Sequence, residues 1–362
     1  MGGHSQPRRI ATGKPNNNLI HINHMATFHA FAASAPKAAL QPFSFDPGPL
    51  GPEEVEVRVT HCGICHSDLS MLDNEWGMTG YPFVPGHEAV GTVVALGEAA
   101  KGLKIGQWVG VGWSASSCLS CPECLSGNQH LCAKTQGTIV GRHGAFADRV
   151  RVQWPWARPL PAGLDMAKTG PLLCGGVTVF APFQVFHISP TARVGVIGIG
   201  GLGHMALQFA NKWGCEVHAF TTSDNKEAEA RRLGAHFVHN TKRDGALKPL
   251  AGSLDLIIST INVPLDAPAL LETLAPQGRL HVVGAVLKPL EVPAFGLITG
   301  QKSISGSPTG SPTTLDKMLA FSARHGVAPV TETFPLSKVN DALERLRSGQ
   351  ARYRIVLVND LA

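Results

Sequence analysis

Cysteines are the residues with the most chemistry to offer here. There are eight: Cys62, Cys65, Cys118, Cys121, Cys124, Cys132, Cys174 and Cys215. Four of them form Cys118-x-x-Cys121-x-x-Cys124-x7-Cys132, on a stretch that also carries Pro122 and Gly127. Four thiolates so close in sequence suit a closed tetrahedral Zn²⁺ site, which has no open position and is therefore structural. Free thiols in a reducing compartment and a Cys₄ iron–sulfur cluster are the competing readings of the same run. Disulfides are the poorer account, because no apolar secretory segment marks the sequence.

Three further residues, Cys65, His87 and Cys174, are far apart, and spacing alone does not bring them together. A Cys₂His set with its fourth position left to water or substrate is what a catalytic zinc requires. His87 stands in Val84-Pro85-Gly86-His87-Glu88, and Cys174 stands where the sequence changes character, a place from which it could face a cleft between domains. Cys62 competes with Cys65 for the ligand role. Cys215 opens an apolar segment and reads as a core thiol.

Gly198-Ile199-Gly200-Gly201-Leu202-Gly203 carries G-x-G-x-x-G at Gly198, Gly200 and Gly203. The motif is weak alone, but here it ends an apolar strand and opens a helix. In that setting the glycines allow close backbone approach, and the helix N-terminus offers N–H groups to a pyrophosphate. Ordinary glycines in a βα turn are the bland alternative. An NAD site wants an acid at the end of the next strand, to accept from the ribose 2′-hydroxyl. This chain has Thr221-Thr222-Ser223 there and Lys226 a turn later. Hydroxyls and an ammonium suit a 2′-phosphate, so the reading is NADPH. The same Thr and Ser also serve as helix caps, and Asp224 follows closely enough to count against the phosphate. Thr260 and Arg354 complete the set of candidate cofactor contacts.

These groups need elements to carry them. From Thr27 to about Pro171 the sequence is turn-rich with short apolar runs. Val55–Val59 alternates as a half-buried strand does, and Val90–Leu96 and Trp108–Val111 are further strands. Beyond Cys174 strands alternate with helices: strand Val194–Ile197, helix Leu202–Lys212, strand Glu216–Phe220, strand Asp255–Ser259, helix Ala267–Leu274 and strand Leu280–Val283. That alternation predicts a parallel, doubly wound sheet. A helix over Leu315–Arg324 and a closing strand over Tyr353–Val358 follow, with the closing segment expected to return to the first domain.

The bulk composition agrees. With 362 residues, 44% hydrophobic and 16% charged, the chain has material for two folded domains and is not a disordered one. Its net charge of +5 is scattered, which argues against nucleic acid as a partner. No apolar run reaches the roughly 18 residues that a membrane span needs. The polar stretch 1–24, with Arg8, Arg9 and Asn16-Asn17-Asn18, reads as a tag or a disordered leader outside the fold. The expected location is the cytoplasm.

Taken together, His61-Cys62-Gly63-Ile64-Cys65-His66-Ser67-Asp68-Leu69, Val84–Glu88, the four-cysteine run, Leu173-Cys174-Gly175-Gly176-Val177-Thr178 and Gly198–Gly203 resemble the zinc-containing medium-chain alcohol dehydrogenases, in the cinnamyl alcohol dehydrogenase branch. Asn74-Glu75-Trp76-Gly77 and Ser303–Ser311 are most similar to bacterial broad-substrate, NADPH-dependent aldehyde reductases. The resemblance implies an α/β protein: a GroES-like β-barrel catalytic domain from residues 25–175 and 313–362, and a Rossmann doubly wound parallel-sheet domain from 176–312. It implies two zinc ions and NADPH per chain, an aldehyde or alcohol as the small-molecule partner, and a homodimer. It selects Cys65 over Cys62 as ligand, beside His87 and Cys174. It makes Ser67 the hydroxyl that relays the alcohol proton, Asp68 the acid that orients His87, and Glu88 an acid able to swing onto the metal. Many relatives carry a His five residues after the ligand Cys; Ser70 stands there, so the relay is expected to end in water or in a group such as His66. Trp76 and Trp113 are candidate pocket walls or simply packed aromatics. Gly137, where plant relatives carry a bulky aromatic, suggests an open pocket.

Overall fold

The computed structural model describes residues 1–2 and 27–361, so the leader reading for 1–24 falls almost wholly outside the described residues. The first half is mostly β. Strands β1 (Phe28–Ala32) and β2 (Gln41–Phe45) form a hairpin, followed by β3 (Glu54–Ile64), helix α1 (His66–Leu72), β4 (Ala89–Leu96), β5 (Trp108–Val111) and β6 (Ser114–Ser116). A short helix α2 (Pro122–Leu125), β7 (Gln136–Gly137), β8 (Arg149–Gln153), β9 (Ala157–Pro159) and α3 (Met166–Thr169) complete it. Helix α4 (Gly175–Val185) then leads into β10 (Arg193–Ile197), α5 (Gly203–Trp213), β11 (Glu216–Thr221), α6 (Glu227–Arg232), β12 (Phe237–Asn240), β13 (Leu254–Ser259), α7 (Ala267–Thr273), β14 (Leu274–Val282), α8 (Ala294–Ile298) and β15 (Ser303–Gly306). The remaining elements are α9 (Pro312–His325), β16 (Thr331–Pro335), α10 (Val339–Arg347) and β17 (Arg354–Val358).

Two sheets organise these elements. One has the order β16-β17-β3-β4-β5-β9, with β8 also on β3. The other is wholly parallel, in the order β12-β11-β10-β13-β14-β15. Its chain order reverses between β10 and β13, and ligands of open α/β sheets bind at such a reversal, outside the carboxyl ends of the strands. The closing strand does return as expected: β17 pairs antiparallel with β3, Ile355 opposite Ile64.

Local sequence accounts for the elements that matter. Helix α9 starts at Pro312 behind the Ser311 hydroxyl, which accepts from the Thr314 N–H, and stops at Gly326 with φ +67°. Its Leu315, Met318 and Leu319 share a core with α4 and α5, so this helix packs on the parallel-sheet unit although 313–362 was expected with the barrel. In β3 the expected alternation fails at one position. Val55, Val57 and Val59 are buried and Arg58 is exposed, but Glu56 is buried too. Arg149 and Arg151 on β8 reach its carboxylate at 2.7 and 2.9 Å, which compensates the buried charge.

Candidate active site at the domain junction

Cys65, His87, Glu88 and Cys174 come from three separate stretches of chain, yet each offers a ligand atom within 4.8 Å of the others, and all four are buried. Cys65 is the N-cap of α1, His87 and Glu88 precede β4, and Cys174 is the N-cap of α4. Asp68 ties this corner together. One of its carboxylate oxygens accepts from the Cys65 N–H at 2.9 Å; the other accepts from the Gly86 N–H at 2.9 Å and from His87 Nδ1 at 3.0 Å. With Nδ1 committed, His87 Nε2 is buried without a partner, aimed into the cluster. An orphaned imidazole nitrogen between two thiols is the donor set a Zn²⁺ ion completes, and the chemistry of the site fits the metal.

Electrostatics point the same way. A hydrogen bond from Cys174, aided by the Arg354 charge, holds the Cys65 thiol well below its ordinary range. Sharing that proton, together with burial, pushes Cys174 well up. Burial alone would depress His87, but Asp68 and Cys65 together outweigh it and raise the ring well above its usual value. Burial lifts Glu88 to about 7 against the opposing pull of Arg354, its ion-pair partner. Glu88 owes its place to a residue whose role spacing does not reveal. A Cβ on Gly63 would stand 2.1 Å from Glu88 Oε2, so only glycine fits at that point of β3.

Ser67 is half-buried, its hydroxyl 3.7 Å from Cys65 Sγ. His66 is exposed on the first turn of α1. The Ser70 hydroxyl, in place of the relatives' His, donates to Glu75 at 2.7 Å. Trp113 meets the His87 ring edge-on with centroids 5.0 Å apart, and Trp76 packs against Trp113 at 6.2 Å. Trp113 thus borders the cluster, and Trp76 packs on Trp113. Gly137 opens nothing by itself, because Val140 already occupies the space its side chain would take.

The glycine loop follows β10 at the sheet reversal. Gly198 has φ +86°, and a Cβ on Gly203 would meet the Gly198 carbonyl at 1.7 Å, so both need glycine. Over Gly200 nothing lies within 4 Å, which leaves the cradle a pyrophosphate needs and any side chain would fill. Gly201 and Leu202 lead into α5, whose first turn begins at Gly203. The Thr260 hydroxyl bonds the carbonyls of Ile197 and Gly198, both at 2.9 Å, and so braces the glycine turn. Arg354 serves two neighbours. It pairs with Glu88, and its Nη1 stands 3.3 Å from the Cβ position of Gly201. Thr221 ends β11 buried, Thr222 is exposed, and Ser223 and Lys226 are half-buried beyond it.

The second cysteine cluster lies on its own lobe between β6 and β7. All four Sγ atoms of Cys118, Cys121, Cys124 and Cys132 lie within 4.8 Å, with Cys118 to Cys132 at 3.5 Å. The N–H groups of Cys121 and Lys134 donate to the Cys118 and Cys132 sulfurs at 3.3 Å, as they would to thiolates. Four sulfurs and nothing else fit a closed zinc site. Cys62 is buried outside both clusters, and Cys215 lies in the core.

Comparison with known proteins agrees with this geometry. Residues 51–162 match the alcohol dehydrogenase GroES-like domain, and residues 201–324 match the zinc-binding dehydrogenase domain. An aldehyde reductase, AdhA, of Synechocystis sp. is 51% identical over 328 residues, covering 91% of this chain and 98% of its own. The chain belongs to the zinc-dependent medium-chain alcohol dehydrogenases. Cinnamyl alcohol dehydrogenase 2 of Rauvolfia serpentina is another relative of this dehydrogenase, 37% identical with 93% and 96% covered. Among solved structures, the dehydrogenase superposes on a Sorghum bicolor cinnamyl alcohol dehydrogenase with TM-score 0.87 at 37% identity, covering 92% of this chain and 98% of that one. A Helicobacter pylori cinnamyl alcohol dehydrogenase complexed with NADP(H) gives 0.84 at 29% identity, with 92% and 98% covered.

Proposed function

We propose that this dehydrogenase reduces aldehydes to primary alcohols with NADPH, reversibly, using Cys65, His87 and Cys174 to hold the reactive zinc. The observation that carries the reading is the buried His87 Nε2, without a partner beside two thiols while Nδ1 is fixed on Asp68. When bound, zinc supplies Lewis acidity for the substrate oxygen and NADPH supplies the hydride. The chain's own residues do the rest. Asp68 keeps the imidazole oriented, and Ser67 holds a hydroxyl where the product's proton must arrive. Glu88 is a spare carboxylate that Arg354 restrains, and Trp76 with Trp113 walls one side of the substrate space. Gly198, Gly200, Gly201, Leu202 and Gly203 would hold the pyrophosphate, and Thr221, Thr222, Ser223 and Lys226 the 2′-phosphate. Cys118, Cys121, Cys124 and Cys132 hold the structural zinc.

Several coarser features extend the proposal. No helix among the described residues is long and apolar enough to cross a membrane. Eight unpaired cysteines suit a reducing compartment, for which we take the cytoplasm. Strand β15 is an open edge of the parallel sheet, with Leu287, Phe295 and Ile298 exposed nearby, and this supports a homodimer joined there. We take the two working units as the barrel with the returning segment from β16 onward, and the parallel sheet together with α9.

NADPH consumption with straight-chain and aromatic aldehydes, with NADH alongside, tests the reading. Turnover that needs NADPH and disappears in Cys65→Ser is the expected result. No turnover of any aldehyde by protein holding two zinc ions would sink it, and oxidation of polyols with NADP⁺ would replace it. Relatives 38% identical are named mannitol dehydrogenases, which makes polyols the informative alternative.

A further inference from the structure

The strand end that selects the cofactor carries an acid where a phosphate would not welcome one. Strand β11 runs out in Thr221, and Asp224 follows Ser223 at the surface. A free carboxylate there would repel a 2′-phosphate and accept instead from a ribose 2′-hydroxyl. Both of its oxygens are occupied, however. Oδ1 accepts from Asn240 Nδ2 at 2.8 Å, and Oδ2 accepts from Arg243 Nη2 at 2.9 Å. The sheet dictates this pairing. Thr221 lies opposite Asn240 in the parallel β11–β12 register, and the Thr241 N–H donates to the Thr221 carbonyl at 2.8 Å. The turn after β12 therefore lies against the turn after β11. Arg243 keeps 70% of its side chain exposed, so most of its five donors remain open. Lys226 takes part in no ion pair among the described residues, and Lys242 and Arg243 follow one another on the facing turn.

We propose that Arg243, with Asn240, determines cofactor choice: it holds Asp224 out of the 2′-phosphate subsite and adds a cation to its rim, so that a strand end bearing an acid accepts NADPH. This rests on the NADPH reading above. Inspection of β11 alone misses it, since Arg243 stands 19 residues beyond the acid it controls.

The test compares wild type, Arg243→Gln, Asp224→Asn and the double variant as zinc-loaded enzyme, at one aldehyde, with NADPH and with NADH. Inhibition by adenosine 2′,5′-bisphosphate and by AMP, which differ only in the 2′-phosphate, is measured in parallel. Arg243→Gln should raise KM for NADPH and Ki for the bisphosphate about tenfold, and leave kcat, KM for NADH and Ki for AMP within about twofold. The loss should shrink as ionic strength rises. Adding Asp224→Asn should recover most of it, because the acid that Arg243 masks is then gone. Equal losses for both cofactors, no loss at all, or a double variant no better than Arg243→Gln would overturn the proposal. A wild type without preference for NADPH overturns it together with the cofactor reading. A wild type that prefers NADPH but is indifferent to Arg243→Gln overturns the proposal alone.

Discussion

The two cysteine clusters use the same side chain to opposite ends. Cys118, Cys121, Cys124 and Cys132 come from one short lobe and offer four sulfurs, the full ligand set of a tetrahedral metal. Cys65, His87, Glu88 and Cys174 come from β3–α1, the approach to β4, and the start of α4, and only the tertiary fold brings them together. The lobe is built to hold its metal. The junction holds two thiols and an imidazole, with a fourth group, Glu88, whose other partner is Arg354. A closed site stabilises; a site with a replaceable fourth ligand reacts.

That contrast can be broken most sharply by removing one sulfur from each cluster. Cys65→Ser should lower turnover by about a thousandfold or more and remove one zinc per chain, with the unfolding temperature nearly unchanged. Metal analysis and calorimetry beside the assay check all three. Cys124→Ser should instead lower the unfolding midpoint by about 10 °C while kcat per folded molecule stays within about twofold. If Cys124→Ser abolished turnover in folded protein, the division into holding and reacting sites would be wrong.

Acid should separate the regions next. His204, buried beside the glycine loop, bonds the Gly200 carbonyl at 3.0 Å through Nδ1, accepts from the Val330 N–H through Nε2 at 3.1 Å, and stacks on Tyr353. Burial drives its pKa down to about 4. The unfolded chain therefore binds a proton, near pH 6.5, that the folded one refuses. Stability is full above about 6.5 and is lost as pH falls toward 4, by about 3 kcal/mol at most. Urea midpoints measured from pH 7 down to 5.5 should fall for wild type and fall less steeply for His204→Gln. The comparison of slopes cancels any zinc released from either cluster. An identical slope in the variant would show that His204 is not the group titrating.

The smallest effect concerns the pocket. Trp76→Ala should raise KM for bulky aromatic aldehydes by about fivefold and for short aliphatic ones by less than about twofold, with kcat little changed. A uniform change across substrates would make Trp76 a packing residue only.

What could be read from the sequence divides along the same line. The lobe was legible because its four ligands lie within one loop, where spacing is geometry. The parallel sheet was legible because strands and helices alternate, and its helix ends carry their own signals, such as Ser311, Pro312 and Gly326 around α9. The junction was not legible from spacing. Only the resemblance brought Cys65, His87 and Cys174 together and discarded Cys62. Three contacts lay beyond both. Glu56 is buried because β8 brings two arginines to it, Gly63 is required because Glu88 leans over β3, and Asp224 is masked because β12 pairs beside β11. Each depends on which strand lies next to which, information that a linear pattern does not hold.

The position of β17 has a consequence for how the enzyme is made. This strand sits inside its sheet, between β16 and β3, yet a ribosome produces it after the whole parallel sheet. The C-terminal end of β3, His61–Ile64, must wait for its second neighbour while some two hundred and ninety residues of later sequence are synthesised. Arg354, which restrains Glu88 and borders the glycine loop, arrives with that strand. The restraint on Glu88 is therefore among the last parts of the molecule to be made, because Arg354 is synthesised only after the nucleotide-binding unit.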